Sequence, residues 1–199
     1  MYVRSAKKYF DFIFSAFLLI LLSPLFLLLL AMVFLDQKGK AFFIQDRTGK
    51  EEEIFRIIKF RTMLDHPLLH GCPLPDAVRT TKIGNWLRHS RLDELPQLIN
   101  ILKGDMSFIG PRPLLPQYVA RYPNHVREKR HTVKPGITGL AQLNGADTLA
   151  WEERFKLDLE YIDQSSFLLD LQILVKTAFF VFTSKKGTSA GEYSKESNN

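Results

Sequence analysis

The feature that most restricts what this chain can fold into is an almost unbroken apolar run from Phe12 to Leu35. It is entered from Arg4, Lys7 and Lys8 and left through Lys38, Lys40, Arg47 and Lys50. As one straight helix it would be about 36 Å long, enough to cross a hydrocarbon core of ~30 Å. The run exceeds the apolar region of a usual signal peptide and no small-residue cleavage pattern follows it, so it is read as part of the folded protein. Ser23-Pro24 interrupts it midway. Pro24 has no N–H for the carbonyl of Ile20, and in lipid a freed carbonyl needs another donor, which the Ser23 hydroxyl or a shifted local turn can supply. A bend there leaves two limbs of roughly 18 Å, about one leaflet each, so the chain can enter and leave on the same face. Basic residues on both flanks put both ends in the cytoplasm. On the proline and the charges alone, a kinked helix that spans the bilayer stays open beside this re-entrant one.

The rest of the 199 residues, with 46% hydrophobic and 24% charged side chains overall, suffices for one cored domain and excludes general disorder. A net charge of +6 suggests anionic partners: nucleic acid, acidic headgroups or phosphorylated small molecules. A single cysteine, Cys72, excludes an internal disulfide and fits a reducing compartment. Ala41 to Gln45 and Ile54 to Phe60 read as strands of a small antiparallel hairpin around Asp46-Arg47-Thr48-Gly49-Lys50, with Phe55, Ile57, Lys59 and Arg61 on one face. Asp65 to Pro75 reads as a loop. His66, His70 and Cys72 within it form half of a zinc pattern, but no second ligand pair follows, so they are read as solvated.

Further on, Lys134-Pro135-Gly136-Ile137-Thr138-Gly139 reads as a tight loop whose glycines let backbone approach a ligand. Trp151, Phe155, Leu159 and Ile162 recur at helical spacing and predict an amphipathic helix. Phe167 to Phe182 is more apolar, and either packs in a core or lies at a membrane interface above Lys185 and Lys186. The polar tail from Gly187 is read as disordered. The expected division is a membrane helix with basic flanks (1–40), a cytoplasmic domain packed on the membrane (41–186) and a tail (187–199).

Chemistry points to Arg88 through Pro113, where Asp93-Glu94 stands among Arg88, Arg91 and Arg112. Pro96 forbids a deep helix interior, so a helix ending near Leu102 should start close to Asp93, with Gly104 at its C-cap. A helix N-terminus there would keep the Asp93 carboxylate ionised and attract phosphate. Adjacent acids at a helix start are ordinarily dipole partners alone. Side chains about 100° apart, however, let one carboxylate face a reacting phosphorus while the other holds a metal ion. In Gly110-Pro111-Arg112-Pro113 the two prolines would stiffen the turn around a guanidinium whose fork matches phosphate oxygens.

Several motifs together carry a resemblance: Phe10-Asp11-Phe12 before the run with Ser23-Pro24, Lys59-Phe60-Arg61-Thr62-Met63, Leu92-Asp93-Glu94-Leu95-Pro96-Gln97-Leu98, Leu102-Lys103-Gly104-Asp105-Met106-Ser107, Gly110-Pro111-Arg112-Pro113 and Pro135-Gly136-Ile137-Thr138-Gly139. In them the chain, from Lys7 to about Lys186, resembles the monotopic phosphoglycosyl transferases. This bacterial sugar transferase family moves a sugar phosphate from a nucleotide diphosphate sugar onto polyprenyl phosphate. The resemblance implies a mainly helical α+β protein with a small antiparallel hairpin and interfacial amphipathic helices, anchored by a re-entrant helix kinked at Ser23-Pro24. It implies Asp93 as nucleophile, Glu94 with Asp93 holding Mg2+, and substrate phosphate contacts at Arg88 and Arg112 with Lys59 close by. The implied partners are a UDP-sugar, polyprenyl (undecaprenyl) phosphate and membrane lipids at the cytoplasmic face of the bacterial inner membrane; pairing as a homodimer is left open. Two positions depart from the family pattern, Lys134 and Ala146, where arginine is usual.

Two other classes use part of the same sequence. A nucleic-acid binder would interleave aromatics with its basic patch, whereas here they sit mainly in the apolar segments, so no nucleic acid is expected. A non-catalytic membrane adaptor would need only the anchor and the interfacial helix, and would be indifferent to Asp93→Ala.

Overall fold

The computed structural model of the protein describes residues 4–64, 68–69, 72–73, 75–119, 122–145 and 149–183. The apolar run forms two helices, α1 (Arg4–Leu21) and α2 (Ser23–Asp36), bent by 68° at Leu22. The bond that Pro24 cannot make is replaced as the sequence suggests: the Ser23 hydroxyl donates to the Ile20 carbonyl at 2.7 Å. No single helix among the described residues is long and apolar enough to cross a membrane.

The hairpin follows, with β1 (Phe42–Thr48) antiparallel to β2 (Ile54–Phe60) from Phe42 opposite Phe60 to Thr48 opposite Ile54. β1 runs past the expected end at Gln45 because a 3-10 turn, Lys50–Glu52, makes the reversal, and Asp46, Arg47 and Thr48 remain in the ladder. Lys59 and Arg61 part company: the Arg61 Nε and Nη2 atoms turn back to the Phe42 carbonyl, each at 3.3 Å. Within the expected loop, β3 (Leu68–Leu69) and β4 (Cys72–Pro73) pair briefly, antiparallel. The side chains of His66, His70 and Cys72, together with Ala146 and the tail from Gly187, lie outside the described residues.

Next come α3 (Asp76–Arg79), α4 (Lys82–His89), the 3-10 turn Leu92–Glu94 and α5 (Gln97–Lys103). Then β5 (Ser107–Ile109), α6 (Pro116–Val119), α7 (Asn124–Arg130), β6 (Gly136–Thr138) and α8 (Leu140–Leu143) lead to two long helices, α9 (Trp151–Gln164) and α10 (Phe167–Thr183). The expected loop around Gly136 is a strand, β6, running parallel to β5. A Cβ on Gly136 would fall 2.1 Å from the Gly110 nitrogen, so this glycine admits neighbouring backbone and not a ligand.

The hairpin divides the core. On one side Ile57 packs with Leu98, Ile101, Met106 and Phe108; on the other Phe60 packs with Leu29, Val33 and Leu87. The edge of β2 away from β1 is closed by one side chain. Asn100 of α5 is fully buried; its Oδ1 accepts from Ile58 N–H at 3.0 Å and its Nδ2 donates to the Arg56 carbonyl at 2.7 Å. It thus stands in for one residue of a third strand.

Both ends of the bent helix pair are fastened to this body. At one end Lys7 bonds the Tyr161 hydroxyl at 3.1 Å and pairs with Asp170, while the Asp11 carboxylate accepts from Phe108 N–H at 3.3 Å. At the other, the Thr81 hydroxyl donates to Asp36 at 2.7 Å. Between these anchors Phe12, Ile13, Phe17, Ile20, Leu27 and Leu28 are exposed. The expected stripe of α9 is only partly inward: Phe155, Leu159 and Ile162 are half-buried, with the Phe155 ring 4.3 Å from that of Tyr122, while Trp151 is exposed and the buried residues are Asp158 and Tyr161. The core reading of the last apolar segment holds on one side: α10 buries Asp170 and Ile173 and leaves Leu168, Leu171, Val175 and Phe179 exposed on its other side.

Replacing Asn100 by Ala leaves two part-buried backbone groups of β2 without this partner, at about 1–3 kcal/mol each. Urea unfolding in detergent, followed by circular dichroism, should show a loss of about 2–6 kcal/mol. An unchanged midpoint would mean that α5 does not hold this edge.

Candidate active site

Asp93 and Glu94 lie in the 3-10 turn Leu92–Glu94; Leu95 and Pro96 keep right-handed helical backbone and lead into α5. The expected helix therefore begins as a tight turn and becomes α-helical only at Gln97. Pro96 precedes α5, where its missing N–H leaves no vacancy, and Gly104 closes the helix in the left-handed region at φ +89°. The turn is set off by Arg91, itself left-handed at φ +58°.

Charge is arranged unequally on the two acids. Lys59 Nζ lies 2.7 Å from Glu94 Oε1, and Arg112 Nη1 lies 4.0 Å from the same oxygen. The Glu94 side chain is only 12% exposed, so water screens these contacts little. Burial by itself acts upward on the Glu94 carboxyl, but Lys59, Arg112 and Arg91 outweigh it and hold the pKa down to about 2. Asp93 moves the other way. Burial first, and the Glu94 charge next, push its carboxyl up to about 6 against the pull of Lys59, Arg88 and Arg91, and no hydrogen bond contributes. The expected helix N-terminus does not hold this carboxyl down: a three-residue turn offers little dipole and desolvation beside a second carboxylate dominates, although a value of about 6 still leaves Asp93 mostly ionised at neutral pH.

The arginines are braced by backbone and by the motifs around them. Arg88, on α4, donates from Nε to the Thr62 hydroxyl at 2.9 Å and sets Nη2 against the Met63 sulfur at 2.8 Å. α4 approaches this closely because a Cβ on Gly84 would sit 2.0 Å from the Thr62 carbonyl oxygen. Around Arg112, Gly136 N–H donates to the Pro111 carbonyl at 3.0 Å, Arg47 Nη1 to that of Pro113 at 3.1 Å, and Thr48 N–H to that of Leu114 at 2.9 Å. Beside its two prolines, the turn is thus bonded to two separate elements, β6 and β1.

A family model described as bacterial sugar transferase matches residues 2–184. The chain belongs to the bacterial sugar transferase family. It is 46% identical over 179 residues to a Bacillus subtilis (strain 168) protein named uncharacterized sugar transferase EpsL, a match that covers 90% of this chain and 88% of that one. A Klebsiella pneumoniae protein named UDP-glucose:undecaprenyl-phosphate glucose-1-phosphate transferase is 40% identical over 190 residues, which are 90% of this chain but 40% of that protein. An Aeromonas hydrophila protein named UDP-N-acetylgalactosamine-undecaprenyl-phosphate N-acetylgalactosaminephosphotransferase is 38% identical over 184 residues, 89% of this chain and 44% of that protein. This bacterial sugar transferase thus spans under half the length of the relatives whose names state a reaction.

Within this member of the family the sequence-derived residues Lys59, Arg88, Asp93, Glu94 and Arg112 converge on one turn, while Ser23 and Pro24 make the bend between α1 and α2. Lys59 is engaged with Glu94, which makes it a partner of the acid before any substrate arrives. The sequence reading named Arg91 beside the acids but gave it no role, its left-handed backbone being announced by no motif, and it missed the brace from Thr62 and Met63, whose motif was visible but whose contact with Arg88 was not. The donor chemistry fits a magnesium ion shared with substrate. Mg2+ is commonly held by one or two carboxylates with phosphate oxygens completing the shell, and no group of three or more His, Cys, Asp or Glu gathers among the described residues.

Because folding raises the Asp93 pKa from 3.8 to about 6, the folded chain binds this proton more tightly. The associated stability is fully present below the unfolded value and is lost as pH rises through about 6. With 13C-labelled aspartate carboxyls, the Asp93 signal should titrate near pH 6, and at lower pH in Glu94→Gln, where one raising charge is gone. Titration near 3.8 in the unmodified protein would refute this account.

Proposed function

We propose that this chain transfers a sugar-1-phosphate from a UDP-sugar to polyprenyl phosphate through a phosphosugar carried on Asp93, at the membrane surface. The observation that carries the reading is the Asp93 carboxylate itself. Among the described residues it receives no hydrogen bond, burial and the Glu94 charge raise its pKa, and it stands beside the lysine and arginines that hold Glu94 ionised. A pKa near 6 leaves it largely ionised at neutral pH and improves it as a nucleophile. The relatives from Klebsiella and Aeromonas support the reaction class: their names share the UDP donor and the undecaprenyl acceptor and differ in the sugar.

In the first step an Asp93 oxygen attacks the β-phosphorus of the donor. The bond from that phosphorus to the bridging oxygen breaks, and UMP leaves with the electron pair. In the second step a phosphate oxygen of the polyprenyl acceptor attacks the same phosphorus, the acyl-phosphate bond breaks, and the Asp93 carboxylate is restored. One pyrophosphate is exchanged for another, so no outside energy source is required. Arg112 and Arg88 bind the phosphoryl oxygens and orient them, and Lys59 keeps Glu94 in place. A magnesium ion held by Glu94 and Asp93 together with the substrate phosphates would offset negative charge on those oxygens.

The membrane part of the reading rests on the bent pair. The ends of α1 and α2 are both bonded to one body, as in a helix that enters and returns, while the outer sides between them and on α10 are apolar and exposed. This arrangement supports a re-entrant anchor on the cytoplasmic face, with the acidic turn near the lipid phosphate.

Given UDP-glucose, UDP-galactose or UDP-N-acetylgalactosamine with magnesium and no acceptor, the enzyme should release about one UMP per site and gain a sugar-phosphate mass on Asp93. Asp93→Asn should lose both. UMP release only with acceptor present, and without adduct, would replace the two-step route by direct transfer.

For topology, single cysteines at Ser5 and Lys38 in a Cys72-free variant should both resist an outside thiol reagent in intact cells. Labelling at only one end would establish a spanning helix. Pro24→Ala restores a backbone donor and should shift some molecules towards that form.

A further inference from the structure

Arg130 closes α7 and Asp158 lies in the middle of α9, both outside the acidic turn and neither used in the steps above. Their side chains are 4% and 7% exposed, and Arg130 Nε donates to Asp158 Oδ2 at 2.8 Å. A buried ion pair is a poor source of stability, since desolvating two charges offsets most of their attraction. This pair also reaches a particular target. The same guanidinium that holds Asp158 donates through Nη2 to the backbone carbonyl of Arg112. The neighbouring peptide carbonyls at Pro111, Pro113 and Leu114 are each taken by another element, so the Arg112 carbonyl is the point at which α7 and α9 meet the turn.

We propose that Arg130 and Asp158 are positioning residues for Arg112: Asp158 orients the Arg130 guanidinium, which holds the Arg112 peptide so that its side chain lies beside Glu94, where the transferring phosphate binds. This inference rests on the proposed role of Arg112 as a phosphate clamp. The geometry favours arginine. One planar fork offers Nε to a carboxylate and Nη2 to a carbonyl at a fixed spacing, whereas a lysine would have to serve both acceptors from one point at the end of a shorter, unforked chain. A clamp displaced by about 1 Å loses up to about a hundredfold in rate, so a contact that never touches substrate can still govern turnover.

The test is a double-mutant cycle on kcat/KM for UMP release, measured with undecaprenyl phosphate in detergent micelles and the most active of the three UDP-sugars named above. Arg130→Lys keeps the charge but not the fork, and should lower kcat/KM about tenfold when Arg112 is present and less than about twofold in the Arg112→Ala background. Asp158→Asn keeps an oxygen acceptor for Nε and should fall between the unmodified protein and Asp158→Ala, which should lose as much as Arg130→Lys. Circular dichroism and thermal unfolding identify any variant that fails to fold; for such a variant the cycle is run with Asp158→Asn. Equal proportional losses in both backgrounds would make the pair merely structural and overturn the proposal while leaving Arg112 as the clamp. An Arg112→Ala enzyme of undiminished kcat/KM would instead remove the clamp, and this inference with it.

Discussion

Asn100 closes the open edge of β2, and the relation between the hairpin and the acidic turn depends on that contact. A strand edge inside a protein needs donors and acceptors at strand spacing, and the carboxamide supplies one of each from a helix. Since α5 continues from the turn that bears Asp93 and Glu94, fastening Asn100 to β2 also fixes where Lys59 leaves that strand relative to Glu94. The ion pair at 2.7 Å is the result. The unequal basicity of the two acids follows, because Lys59 and Arg112 stabilise the Glu94 charge and the Glu94 charge destabilises that of Asp93.

The same economy recurs around Arg112. Its turn joins β5 to the segment that bridges back to β1, so one short stretch is gripped by the parallel strand pair, by the hairpin and by α7. Glycine at 136 allows backbone to lie against backbone, and the carbonyls from Pro111 to Leu114 take their donors from β6, α7 and β1. The cation is rigid because the peptide that carries it has no slack.

Much of this was legible in the sequence where the signal is local. The Ser23 hydroxyl substituting for the donor that Pro24 lacks, the hairpin, the C-cap at Gly104 and the helical span of α9 each follow from a residue and its near neighbours. The family motifs named Lys59, Arg88, Asp93, Glu94 and Arg112, which the structure brings to one turn. What stayed hidden depends on contacts across long separations. Asn100 reads as an ordinary polar helix residue until β2 is seen beside it, and Gly136 reads as a flexible loop residue until Gly110 lies against it. Arg130 and Asp158 carry no local pattern at all. The basicity of Asp93 was misjudged because the dipole of a helix start is visible in sequence, whereas desolvation by distant elements is not.

The fastening of both ends of the bent helix pair also bears on how such a protein meets bilayers of different thickness. A helix that crosses a membrane must match the hydrocarbon thickness or adapt by tilting, and so becomes sensitive to lipid composition. Here the reach of α1 and α2 from the body is set by bonds at Lys7, Asp11 and Asp36 and by the bend at Leu22. In the re-entrant setting only the near leaflet is engaged, so thinning or thickening of the far one leaves no mismatch to relieve. An anchor of the proposed kind would measure depth from the headgroups inward, and the distance from the lipid phosphates to Asp93 would stay constant as the membrane changed beneath it.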